Sequence, residues 1–96
     1  MLIDVPHGFS EMVLAENGLD HEAIVCVEEL SELQKEITKF LRGKGDLDAL
    51  VSEIADVYIC LNTLEIGTQI SYRELEDKVK EKVDRYYKRR KEGDIK

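Results

Sequence analysis

Apolar residues recur at three-and-four spacing along most of this chain, and no stretch alternates apolar and polar positions as a half-buried strand does. Residues 1–8 carry the breakers Pro6 and Gly8 and are expected to be irregular. Ser10 is placed to cap a short helix that Asn17-Gly18 ends. Asp20 is a fitting N-cap for a long second helix over 21–42, with an apolar stripe of Ile24, Val27, Leu30, Leu33, Ile37 and Leu41. Gly43-Lys44-Gly45-Asp46 breaks that helix, and Asp46 or Asp48 can cap a third over 47–66, ended by Gly67. The third helix carries Leu47, Leu50, Val51, Ile54, Val57, Tyr58, Ile59, Leu61 and Leu64. From Val57 to Leu61 it is apolar on every side and should be surrounded. Ser71 and Glu74 form a capping box for a fourth helix over 71–91, striped by Leu75, Val79, Val83 and Tyr86.

The pattern predicts an all-α fold, an antiparallel helical bundle of about four helices. The short connection at 43–46 makes 21–42 and 47–66 an antiparallel core hairpin, with the C-terminal helix 71–91 packed alongside. Acid interrupts this apolar pattern twice. Glu28, Glu29 and Glu32 stand in CVEELSELQKEI, and Glu53 and Asp56 stand in ALVSEIADVYICLNTL, the most apolar run of the chain. Residues three or four apart share a helix face, so each set is a claw of oxygen ligands. The first claw precedes Gly43 by 11–15 residues and the second follows it by 10–13, which puts both at nearly the same height on facing helices. Ionised carboxylates in an apolar seam are costly unless a cation or hydrogen bonds compensate them. The economical reading is two helices facing each other across divalent metal ions.

An all-oxygen donor set selects Mg²⁺, with Mn²⁺ as a substitute, over zinc. Di-iron bundles use Glu-x-x-His, but Asp56 holds the corresponding position here, and His7 and His21 lie outside both claws. Mg²⁺ commonly bridges carboxylates to substrate phosphates, so the expected chemistry is attack of a metal-activated water on phosphorus.

Composition sharpens this. The 96 residues make a single domain, 1–96, with 43% hydrophobic and 36% charged side chains. So short a chain buries little core alone, and oligomerisation would help it. No run is long and apolar enough for a membrane, and the N-terminal residues do not read as a signal peptide, so a cytoplasmic protein without a membrane partner is expected. Cys26 and Cys60 are expected as buried free thiols. Residues 1–77 carry 17 acidic and 5 basic side chains, whereas 78–91 carry 8 basic and 2 acidic. The acidic body argues against a nucleic-acid partner, because it would repel a phosphate backbone.

The pattern E-E-x-x-E, a spacer, then E-x-x-D, at Glu28, Glu29, Glu32, Glu53 and Asp56, resembles that of the MazG-like all-α nucleoside triphosphate pyrophosphohydrolases, the group that includes dimeric dUTPases and dCTPases. The likeness to short, phage-type members runs from about Glu22 to Arg90 and includes KFLRGKG, EIADV and a K-x-x-R at Lys82 and Arg85. The resemblance implies Mg²⁺-dependent hydrolysis of a nucleoside or deoxynucleoside triphosphate to the monophosphate and pyrophosphate. It implies Glu29, Glu32, Glu53 and Asp56 as metal ligands and Glu28 as a further catalytic residue, holding another ion or orienting the attacking water. Lys39, Arg42, Lys82 and Arg85 resemble phosphate-contacting residues. The chain departs from the group in having no Trp and in placing Cys60 where an aromatic is sometimes found. The sequence Asp56-Val57-Tyr58-Ile59 also lacks the Tyr-His pair of phosphoribosyl-ATP pyrophosphohydrolases. The wide apolar belt of the third helix predicts a homodimer or homotetramer. The alternative is a non-catalytic metal-binding helical bundle that regulates or interacts without turnover.

Overall fold

The connection between the two longest helices sets the architecture. In the computed structural model, which describes residues 3–93, α1 is Phe9–Asn17, α2 is Leu19–Leu41, α3 is Leu47–Thr68 and α4 is Tyr72–Lys91, with no strand among the described residues. After Arg42, Gly43 takes φ 71°, and the backbone N–H groups of Lys44 and Gly45 donate to the Lys39 carbonyl at 2.9 and 3.2 Å. That left-handed residue reverses the chain while satisfying the last carbonyl groups of α2. Asp46 Oδ1 then accepts from the Ala49 N–H at 2.7 Å and starts α3. The all-α class and the antiparallel α2–α3 hairpin are as the pattern predicts.

Local signals differ in three places. Ser10 is not a cap: Gly8 precedes α1, and Ser10 is fully buried inside it. Its hydroxyl donates to Asn62 Oδ1 and shares a hydrogen bond with Thr63 Oγ1, both at 2.8 Å, so it docks α1 on α3 instead. Asp20 falls in the first turn of α2, where its charge still suits the helix dipole, and Gly18 takes the cap position. Gly67 does not end α3, which continues to Thr68 and closes at Gln69 with φ 62°. A Cβ on Gly67 would lie 2.6 Å from Leu19 Cδ1 and 3.1 Å from Leu14 Cδ2, so this glycine permits a close approach between helices.

The fourth helix completes the bundle at a wider spacing, with its Tyr72, Leu75 and Val79 lining a cleft with Tyr58, Leu61 and Glu65 of α3. No Cα of α4 comes within 8 Å of a Cα in α1, α2 or α3, and no α4 residue is buried. Its capping box is intact, with Ser71 and Glu74 bonded reciprocally at 2.9 and 3.1 Å. Fourteen of its 20 residues are charged, so a narrow apolar stripe is all that it turns toward α3. The belt from Val57 to Leu61 is likewise only half covered: Val57 and Cys60 are buried, whereas Tyr58, Ile59 and Leu61 face outward. The apolar stripe of α2 also points away from α3, with Ile24 61%, Val27 66% and Leu41 77% exposed. The α2–α3 seam instead holds Cys26, Glu29, Glu53, Asp56, Val57 and Cys60. No described helix is long and apolar enough to cross a membrane.

Candidate metal centre

Two helices deliver the acidic groups. On α2, Glu29 follows Cys26 by one turn and lies half-buried in the seam. On α3, Glu53 and Asp56 are three residues apart, both half-buried, and face α2. One carboxylate oxygen from each of Glu29, Glu53 and Asp56 falls within 4.8 Å of the others. No ion pair joins any of the three to a cationic side chain among the described residues.

The electrostatics follow from this crowding. Burial, then the charge of Asp56, then that of Glu53 raise the Glu29 carboxyl above its ordinary value of 4.5, and a hydrogen bond with Asp56 favours the protonated form further. Burial raises Glu53 in the same direction, followed by the charges of Asp56, Glu32 and Glu36. Glu53 Oε2 is buried with no hydrogen-bond partner. A buried oxygen of this kind is costly to leave unpaired. The donor set is hard, anionic and convergent, so it fits a divalent cation of the Mg²⁺ class better than a soft metal.

The other expected site residues are distributed unevenly. Glu32 lies at the rim, exposed, and holds the Lys35 ammonium at 3.4 Å, so the structure places it beside the cluster and not in it. Its charge is still felt by both Glu29 and Glu53. Glu28 is exposed, as the 100° step from Glu29 around the helix requires. Lys39 and Arg42 line a groove of about 520 Å³ on α2 with Ser31, Gln34 and Thr38, and Lys39 sits 3.7 Å from Glu36. Lys82 and Arg85 lie on α4, no Cα of which comes within 8 Å of one in α2 or α3, and there they flank Glu81.

The E-E-x-x-E pattern stops short of Glu36, which the sequence suggests as a surface residue near Lys35 and Lys39. Its side chain is only 15% exposed, and its Oε2 is buried without a partner, as Glu53 Oε2 is. The signal was its spacing of seven residues from Glu29, two turns along the same face. A cleft of about 160 Å³ opens on the other side of the cluster, lined by Phe9, Val25, Glu29, Asp56, Cys60 and Thr63. Its outer wall is α1, held there by Ser10. No protein-family model, curated protein or solved structure matches the chain.

Proposed function

We propose that the chain is a nucleoside triphosphate pyrophosphohydrolase that uses Mg²⁺ to cleave between the α and β phosphates. The observation that carries this is the convergence of Glu29, Glu53 and Asp56 from two helices, with one oxygen orphaned and two carboxyls pushed up. Repulsion of this kind stabilises nothing in the chain by itself, and a divalent cation reverses its sign. These three residues would hold the ion, with Glu32 at the rim extending the acidic surface toward a second. When bound, such an ion supplies charge neutralisation on phosphate oxygens and acidifies water. The chain's own part is to fix carboxylate positions, to keep the seam dry through Val57, and to offer a cleft beside the acids for the rest of the substrate. Among the described residues no Ser or His lines the cleft beside Glu29 and Asp56, and Cys60 is buried with its thiol pushed up to about 12, so water is the attacking group in this reading.

The same reading includes a homodimer or homotetramer. A monomeric protein of 11.0 kDa exposes about 5,600 Å². This chain exposes 7838 Å², an excess of about 2,200 Å², which is the scale of an obligate interface. The outward apolar stripes of α2 and α3 and the exposed Val79 and Val83 of α4 are the surfaces for it. Assembly would also bring Lys82 and Arg85 to the carboxylates of another protomer, where they can meet the charge on a departing pyrophosphate.

One observation favours the alternative, a cation-binding bundle without turnover: among the described residues no cationic side chain pairs with Glu29, Glu53 or Asp56. A panel of ribo- and deoxynucleoside triphosphates with Mg²⁺, scored for monophosphate and pyrophosphate, separates the two. Product from at least one nucleotide supports the enzyme; Mn²⁺ binding with no product from any supports the bundle.

A further inference from the structure

Cys26 and Cys60 face each other across the α2–α3 seam with their sulfurs 3.1 Å apart, and both are buried free thiols. Cys26 lies one turn before Glu29 on α2, and Cys60 one turn after Asp56 on α3. Because the helices are antiparallel, the two thiols form one layer directly against the carboxylate layer. Cys60 also lines the cleft that opens beside Glu29 and Asp56, and it is 6% exposed against 3% for Cys26. The proposed hydrolysis uses neither thiol.

We propose that Cys26 and Cys60 are a reversible redox pair, oxidised by a small peroxide to an intrachain disulfide that disables the adjoining carboxylate site. The disabling step rests on the metal reading above; formation of the disulfide does not. Cys60 faces the cleft, so it is oxidised first: its sulfur takes one oxygen from hydrogen peroxide as a sulfenic acid, and one water leaves. The Cys26 sulfur, already 3.1 Å away, then attacks that sulfur, the S–S bond forms, and the hydroxyl departs as a second water with the Cys26 proton. The pair loses two electrons and two protons, and the peroxide is reduced to two waters in all. Dithiothreitol or a cellular dithiol reverses the change by exchange.

A disulfide brings the two sulfurs about 1 Å closer than they stand here and fixes the torsion between them. That contraction acts one turn from oxygens that must hold Mg²⁺ in near-ideal octahedral geometry, where tolerance is about 0.2 Å. Burial and the hydrogen bond with Cys26 push the Cys60 thiol up to about 12, so little of it is thiolate and oxidation is slow.

The test treats the full-length chain with hydrogen peroxide and follows intact mass, free thiols and Mn²⁺ binding by electron paramagnetic resonance. The expected product has lost about 2 Da and both alkylatable thiols, and migrates as a single chain without reductant. Its Mn²⁺ affinity falls at least tenfold and returns with dithiothreitol. The Cys26→Ala/Cys60→Ala double variant binds Mn²⁺ as the reduced wild type does and ignores peroxide. A gain of about 16 or 32 Da without disulfide, a cross-link between chains, or a disulfide with unchanged Mn²⁺ affinity overturns the proposal. If the reduced chain binds no Mn²⁺, the metal reading and the disabling step fall together, and the loss of about 2 Da still decides whether the pair forms.

Discussion

Glu29 and Glu53 illustrate what three carboxylates do to one another when two helices bring them together. Both are raised above 4.5, first by burial and then by Asp56. A raised acid binds its proton more tightly in the folded state than in the unfolded one. The stability it permits is therefore complete below 4.5 and is lost as pH rises through the raised folded value. In chelator, urea melts of wild type minus those of a Glu29→Gln/Glu53→Gln variant should show wild type losing ground from pH 4.5 toward neutrality. Saturating Mg²⁺ should remove that loss, and a wild type that gains ground with pH in chelator contradicts this account. Asp56 is the largest charge acting on both neighbours, so Asp56→Ala should leave metal-free thermal stability equal or higher. Turnover should fall about 100-fold or more, because even outer-shell partners of a metal cost 10- to 100-fold. Unfolding of that variant, or near-normal turnover, counts against the assignment.

The helices show which signals in the sequence could be read and which could not. Spacing of three and four gave the helices, and Gly43, Asp46 and the Ser71–Glu74 box gave two of the connections, because each of these acts through its own local backbone. The height of the two claws also followed from counting residues on either side of Gly43. Ser10 and Gly67 misled because their local chemistry was overridden by packing between helices, and Asp20 because α2 starts directly after Gly18 and takes it into its first turn. Ser10 has the hydroxyl of a cap but spends it on Asn62 and Thr63, residues more than fifty positions away. Gly67 has the freedom of a terminator but is held for its missing Cβ. Glu36 was hidden because its buried oxygen depends on how α2 is rotated against α3, which periodicity alone leaves open. Ser10→Ala tests the docking of α1. It removes the proton that Asn62 Oδ1 accepts, while Thr63 keeps its bond to the Ile59 carbonyl, and should cost about 1–3 kcal/mol in urea unfolding. A change below about 0.3 kcal/mol, outside the usual range for a lost buried partner, would show that α1 is held by Leu14 and Gly67 alone.

At the scale of the whole molecule, the chain has more apolar surface than it can cover. Its radius of gyration is 16.4 Å, against about 12.5 Å for a compact domain of this length. Three buried apolar residues, Cys26, Val57 and Cys60, make up its described core. The net charge divides in the same sense, acidic on the hairpin and basic on α4, so neighbouring chains attract where one chain leaves both parts exposed. Light scattering at micromolar concentration should therefore give a dimer or tetramer mass, and Val27→Asp or Val79→Asp should lower it. A monodisperse monomer with native helicity contradicts the assembly. The most direct test of the central claim is hydrolysis of the best nucleoside triphosphate in water labelled with heavy oxygen, with Mg²⁺ present. The account predicts label in the nucleoside monophosphate and none in free orthophosphate, because water attacks the α phosphorus and pyrophosphate leaves. Label in orthophosphate, with a nucleoside diphosphate as the other product, would contradict it.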